Sequence, residues 1–194
     1  MRGGRHSIRR QKIMTIRITY FVHGTTTDNE KEISSGWHDV GLSNLGKRQS
    51  SKLRDFVRDR KFEAVFCSDL KRALDSARLM FGKTVPLIPD TRLRECNYGK
   101  YNAQPSVIVE PMQEKCVRKR FPGGESLEDV KARMVDFLEF LKQNYDGKKV
   151  AIVSHKVPQL ALEILLRGKT WRQVFAEDWR KRKAWQPGWE YIVE

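Results

Sequence analysis

Thr19-Tyr20-Phe21-Val22-His23-Gly24-Thr25-Thr26-Thr27-Asp28-Asn29 carries an apolar, β-prone run straight into a loop of hydroxyls, an amide and one glycine. Ile16, Ile18, Tyr20 and Phe21 suit a buried strand, and the Gly/Thr/Asp/Asn run that follows is turn chemistry. In open α/β sheets ligands bind just past the carboxyl ends of strands, so this reading puts His23 where a ligand sits.

Outward from this loop, strand and helix patterns alternate. Ser43 is a natural N-cap for a segment with Leu45, Leu53, Phe56 and Val57 at helical spacing. Residues 62–67 read as a second strand, and Ser68-Asp69 as the cap of a helix with Leu70, Ala73, Leu74, Ala77 and Met80 or Phe81 as its buried stripe. Arg72 then stands in the first turn of a helix, where free N–H groups and the positive dipole end favour an anion. Residues 85–88 suggest a short strand, and the stretch from Lys100 to Gly124, without sustained periodicity, suggests a long excursion that selects substrate. Leu127, Val130, Met134, Phe137, Leu138 and Leu141 mark the clearest helix, ended by Asp146-Gly147. Val150-Ala151-Ile152-Val153 is a short apolar strand that delivers Ser154-His155 to a loop before residues 157–166 turn helical. A second histidine therefore stands just past a strand. The alternation predicts a three-layer α/β/α fold with a largely parallel central sheet.

The 194 residues suit one domain with a full core. Residues 1–13 carry five cations and no acid, without the apolar core of a signal peptide. They read as a basic disordered extension left by start-site choice or cloning ahead of Met14, with a presequence or nucleic-acid arm as the other reading, and residues 14–194 as the single catalytic domain. Removing those five cations takes the net charge from +14 to +9, so the body itself favours anionic partners. Cys67, Cys96 and Cys116 have no CxxC spacing and an odd count, which predicts a reducing, cytoplasmic setting. No zinc-ligand pattern appears, and no apolar run approaches the roughly 18 residues of a membrane span. Near the C-terminus, Arg180-Lys181-Arg182-Lys183 lies among Trp171, Trp179, Trp185 and Trp189. Basic residues interleaved with aromatics can bind single-stranded nucleic acid, but tryptophans so spaced more often form a packed cap, and residues 189–193 alternate like an edge strand.

Five short elements, in order, resemble the histidine phosphatase superfamily, the phosphoglycerate-mutase-like group. Residues 22–29 match its Arg-His-Gly-x-Thr-x-x-Asn signature at every fixed position but the first. Ser68-Asp69-Leu70-Lys71-Arg72-Ala73 resembles Ser-x-x-x-Arg-Ala, and Leu93-Arg94-Glu95-Cys96-Asn97-Tyr98-Gly99 resembles Leu-x-Glu-x-x-x-Gly. Gly123-Gly124-Glu125-Ser126 and Val153-Ser154-His155 match the other two.

The resemblance implies a phosphomonoester hydrolase acting on a small phosphorylated metabolite and releasing inorganic phosphate, with no cofactor or metal. It makes His23 the nucleophile that forms a phosphohistidine, with Asn29, Arg72 and His155 as its companions around the phosphate. Glu95 would protonate the departing oxygen and then activate water. Thr26, Ser35, Gly36, Tyr98 and Lys156 are the candidate substrate contacts. Two positions depart from the pattern: Val22 replaces the arginine before the nucleophile, and Lys156 replaces the glycine after the second histidine. Losing one such contact costs about 10²–10³ in rate by analogy with an oxyanion donor, so the site is expected to be weakened. Lys156 either restores that charge from the opposite wall or points to solvent; the entropy of ordering its long stem favours solvent. Ser35-Gly36-Trp37 and the Tyr98-Gly99 pair resemble mutase loops, but the middle insertion looks short and lacks a paired arginine motif, which favours hydrolysis over phosphoglycerate-type transfer. A phosphate-ester-binding protein with little turnover is the remaining alternative, and nucleic acid is the least favoured partner.

Overall fold

The computed structural model describes residues 15–182 and 188–194. The expectation for residues 1–13 lies outside them, as do Lys183 and Trp185. In chain order the elements are β1 (Ile16–Val22), α1 (Thr27–Glu30), β2 (Ile33–Ser34), α2 (Asn44–Arg58), β3 (Ala64–Cys67), α3 (Lys71–Phe81) and β4 (Leu87–Pro89). There follow β5 (Gln104–Pro105), α4 (Ser106–Lys115), α5 (Leu127–Asn144), β6 (Lys149–Ser154), α6 (Lys156–Arg167), α7 (Trp171–Ala176) and β7 (Trp189–Val193). The main sheet has the order β4-β3-β6-β1-β7, parallel except for β7, which runs antiparallel along β1.

Strand alternation divides the core, because successive side chains point to opposite faces. Ile18, Tyr20, Phe66, Val150 and Ile152 meet α5 and α6 through Met134, Phe137, Leu141, Ala161 and Leu162. Phe21, Val65, Cys67, Ala151 and Val153 meet α2 and α3 through Leu53, Val57, Ala77 and Met80 on the other face. This is the expected three-layer arrangement. A third cluster lies beyond the strand ends, where Cys96, Tyr98, Val109, Phe121 and Val130 pack with Val157 and Leu160.

Three details differ from the sequence expectation. Leu45 and Phe56 are exposed, and α2 instead buries Gly46 and Ser50 beside Leu53 and Val57. Gly46 is needed because a Cβ there would stand 1.9 Å from the Thr25 carbonyl oxygen, so the helix lies directly against the His23 loop. Helix α3 is not capped by Ser68-Asp69: its N-cap is Leu70, and the carboxylate of distant Asp39 accepts from Lys71 N at 2.7 Å. The middle excursion is not a bare loop, since β5 pairs with β2 and α4 follows at once. Pro111 inside α4 and the exposed Val107 and Ile108 break the periodicity that would have announced it. Of the described C-terminal tryptophans, Trp179 tilts against buried Trp189 at 5.8 Å and Trp171 stacks on Phe175 at 5.9 Å, so these three belong to packing.

Candidate active site

Adjacent parallel strands that end in register put their next residues side by side. In β1 and β6 the last pair is Val22 with Ser154, so His23 and His155 emerge as neighbours, and His23 N donates to Ser154 O at 3.0 Å. Their ring centroids are 5.0 Å apart, close to the ~4.8 Å spacing of neighbouring strands. The Tyr20 hydroxyl, from the middle of β1, donates to His155 O at 2.7 Å and accepts from His155 N at 3.1 Å. Nothing local in the sequence indicated that clamp.

His23 Nδ1 lies 2.8 Å from Gly24 O. A carbonyl oxygen only accepts, so Nδ1 carries the proton and Nε2 keeps its lone pair. Burial first, and then the nearby Arg72 charge, pull the His23 pKa down to about 3, so the ring is neutral at pH 7. His155 is fully buried, and burial with the Arg72 charge holds it well below the ordinary imidazole range. Neither of its ring nitrogens has a hydrogen-bond partner. A buried unpaired polar group costs ~1–3 kcal/mol, the kind of cost retained where a ligand supplies the partner.

Arg72 is 2% exposed, and the loop after β2 fixes its guanidinium: Nη2 donates to Gly36 O at 2.6 Å and Nη1 to His38 O at 3.0 Å. Ser76, one helical turn on, accepts from Gly24 N at 3.0 Å and donates to Arg72 O at 2.8 Å, tying the nucleophile loop to the arginine helix. Glu95 is 8% exposed and engages through Oε1 alone, which accepts from Cys96 N at 2.8 Å and Val157 N at 3.2 Å.

His23, Arg72, Glu95, Asn29, Ser35, Gly36, Tyr98 and Lys156 all line one open cleft of about 780 Å³. His155 does not line it: the ring is fully buried and packs edge-on against that of His23 at 5.0 Å. Thr26 does not line it: its hydroxyl accepts from Asn29 N at 3.0 Å and its own N donates to Asn29 Oδ1, a capping box that buries it. Thr25 takes the cleft position instead, with Gln49 Oε1 accepting from both its N and its hydroxyl at 2.9 Å. The Asn29 amide oxygen is committed to the cap, which leaves its NH₂ for a ligand.

Lys156 does not point to solvent. Its Nζ sits 2.8 Å from buried Asp178 and donates to Gln113 Oε1 at 3.3 Å, while Gln113 Nε2 donates to the Tyr98 hydroxyl at 2.9 Å. Arg180, also on the cleft wall, pairs with Glu110 at 2.8 Å. Lys156, Gln113, Glu110 and Arg180 form this wall, with buried Asp178 behind Lys156, and only Lys156 among them was singled out in sequence as a cleft residue. Their partners lie 15 to 70 positions away, so no local pattern announces them. Among the described residues no group of three or more His, Cys, Asp or Glu converges as a metal site, and no helix is long and apolar enough to cross a membrane.

Fold and cleft together define the class: an α/β sheet protein with a histidine pair and a buried arginine at the carboxyl edge of its parallel strands. The chain belongs to the histidine phosphatase superfamily (branch 1), whose family model matches residues 20–187. It is 34% identical over 134 residues to a fructose-2,6-bisphosphatase TIGAR of Xenopus tropicalis, covering 64% of this chain and 49% of that protein. It is 30% identical over 150 residues to a 2,3-bisphosphoglycerate-dependent phosphoglycerate mutase of Cytophaga hutchinsonii, covering 69% and 68% respectively. The chain thus spans about half the length of the fructose-2,6-bisphosphatases it matches. Among solved structures, Bacillus stearothermophilus YhfR shares the fold with a TM-score of 0.77 over 92% of this chain and 91% of that one, at 22% identity.

Proposed function

We propose that this protein is a phosphoric monoester hydrolase that acts on a small phosphorylated metabolite through a phosphohistidine on His23, with residues 14–194 as one catalytic domain. The observation that carries this is the His23 ring: proton fixed on Nδ1 by Gly24 O, Nε2 free, and Arg72 and His155 beside it. The Nε2 lone pair attacks phosphorus as the ester P–O bond breaks, and Glu95 gives a proton to the departing oxygen. Water, deprotonated by Glu95, then attacks phosphorus, the N–P bond breaks, and inorganic phosphate leaves with His23 neutral again. Arg72, His155 and the Asn29 amide hold the equatorial oxygens, so alignment and charge stabilisation come from side chains and the reaction runs without a metal. The names of the relatives, bisphosphatase and phosphoglycerate mutase, support phosphate esters of small metabolites as substrates. Three free, buried cysteines support a reducing, cytoplasmic setting.

Binding with slow turnover is the second reading, favoured by Val22, which puts an isopropyl group on the cleft wall directly before the nucleophile. A panel of phosphomonoesters, run with wild type and His23→Ala, separates the two. Hydrolysis is expected from wild type alone, with alkali-stable, acid-labile phosphate on the quenched protein. Turnover without phosphoenzyme, or equal turnover in His23→Ala, removes the phosphohistidine mechanism; phosphate-ester binding without turnover selects the second reading.

A further inference from the structure

The loop between β2 and α2 does more than lie beside the cleft. The carbonyl oxygens of Gly36 and His38 accept hydrogen bonds from Arg72, the cation of the phosphate site. Trp37 stands between them, and its indole N–H donates to the backbone carbonyl of Glu95 at 2.7 Å. Three consecutive residues therefore hold the arginine on one side and the carboxylate's own residue on the other. Trp37 is not among the residues that line the cleft, so it acts through these two groups.

The loop is itself pinned. Gly36 has φ +54, and a Cβ there would fall 2.0 Å from Asn102 Oδ1. That oxygen accepts from Trp37 N at 3.1 Å and from Tyr98 N at 2.9 Å. The Arg94 guanidinium lies over the Trp37 ring at 4.7 Å and donates two hydrogen bonds to Asp69, just before the arginine helix. Ser35 donates to buried Asp28 at 2.8 Å, which anchors the loop from below. Glu95 O also accepts from Arg133 at 3.0 Å, so both of its lone pairs are used and the peptide on either side of it has little freedom. Glu95 Oε1 accepts from Cys96 N, hence a turn of that peptide carries the carboxylate with it.

We propose that Trp37 is a positioning residue that sets the distance between Arg72 and Glu95, so that the carboxylate meets the departing oxygen while the phosphoryl group is held. This rests on the hydrolase reading above. A loss of position at Glu95 affects esters whose leaving oxygen needs a proton more than esters whose leaving group departs as a stable anion. A general packing role would slow both alike.

The test compares an alkyl phosphate with an activated aryl phosphate in Trp37→Phe, which keeps an aromatic face under Arg94 and loses the N–H. Replacement of Trp37 by 3-benzothienylalanine, isosteric but without the N–H, serves as the second variant if Trp37→Phe does not fold. Expected is a fall of about threefold to tenfold in kcat on the alkyl ester, the scale of one hydrogen bond, with KM and inhibition by inorganic phosphate unchanged and the aryl ester nearly unaffected. Equal losses on both esters, or none on either, overturn the inference. Glu95→Gln measured beside it separates two failures. If Glu95→Gln shows the leaving-group dependence and the Trp37 variants do not, the positioning role falls alone. If Glu95→Gln shows none, the acid role falls and the positioning role falls with it.

Discussion

The floor of the cleft and its wall of Lys156 and Arg180 are built on opposite plans. On the floor, His23 and His155 follow two parallel strands whose register makes them neighbours, and Arg72 is gripped by two backbone carbonyls, so position comes from main chain and burial. On the wall, Lys156 and Arg180 are each held by a carboxylate from another segment, Asp178 and Glu110. The floor turns one buried cation and the neutral His23 ring toward the cleft, with neutral His155 packed behind His23, whereas the wall's charges are already balanced within the protein. On the proposed hydrolase reading, the floor is the part that would stabilise charge developing on a phosphoryl group, and the wall the part that would shape which leaving group fits.

The sharpest way to break this contrast is Arg72→Met. If the floor supplies the charge stabilisation, kcat/KM for every phosphomonoester should fall by about 10²–10³, whatever the leaving group. A loss confined to some esters would move Arg72 from phosphate binding to substrate selection.

Val22 tests the same division from the floor. Val22→Arg adds a donor beside His23 and is expected to raise kcat/KM by about one to two orders of magnitude. Lys156 has its charge committed to Asp178 and one N–H to Gln113, so it is poorly placed to substitute for that donor. The cycle of Val22→Arg with Lys156→Gly should accordingly be additive within ~0.5 kcal/mol. Strong coupling, with Val22→Arg beneficial only when Lys156 is gone, would show that the wall serves the phosphoryl group after all.

How much of each region is legible in sequence follows from the same contrast. The floor rests on short-range features: a β-prone run ending at His23, another ending at His155, and a helix start carrying Arg72, each visible in its own segment. Its order of motifs carried the family resemblance. Even there, the capping box that removes Thr26 from the cleft and the Asp39 carboxylate that caps α3 were missed, because each depends on which side chain reaches a helix end. The wall rests on pairings between residues far apart in the chain. Helix α4 escaped notice because Pro111 and the exposed Val107 and Ile108 defeat periodicity. Asp178 sits in a segment whose tryptophans and basic run suggested other uses. Periodicity reports what an element buries, and says nothing of which distant acid a lysine will find.

At the wall the larger effect is expected on stability. Lys156 and Asp178 are both buried, and removing one partner leaves the other charged and unpaired, at a cost of ~3–5 kcal/mol. Asp178→Asn should lower the melting temperature accordingly, while Lys156→Met with Asp178→Leu, which removes both charges, should recover most of the loss. Thermal melts of the two variants check this; Asp178→Asn as stable as wild type would mean the pair is hydrated and contributes no more than a surface ion pair.

The smallest effect is on the pH dependence of folding, and above pH 4.5 it isolates the floor from the ion-paired carboxylates. His23 is depressed to about 3 and His155 well below its ordinary value, both by burial and by Arg72. As pH falls below about 6.5 the unfolded chain binds a proton at each imidazole that the folded chain refuses. The unfolded state then holds more protons, so stability rises with pH across this window and is lost on acidification. The slope is at most ~1.4 kcal/mol per pH unit for each ring. Carboxylates in ion pairs behave with the same sign but lower down: Asp69 and Asp129 are depressed first by hydrogen bonds from Arg94 and Arg120, so their contribution is lost only as pH falls below about 4. Between pH 6.5 and 4.5 the slope therefore belongs to the floor. Denaturant unfolding of wild type and His23→Asn across that interval should show a shallower dependence in the variant, with the two curves becoming parallel only once pH falls below about 3, where the folded ring also takes up its proton. Identical slopes above pH 4.5 would mean that the His23 ring takes up its proton in the folded protein, and the neutral nucleophile assigned to the floor would have to be given up.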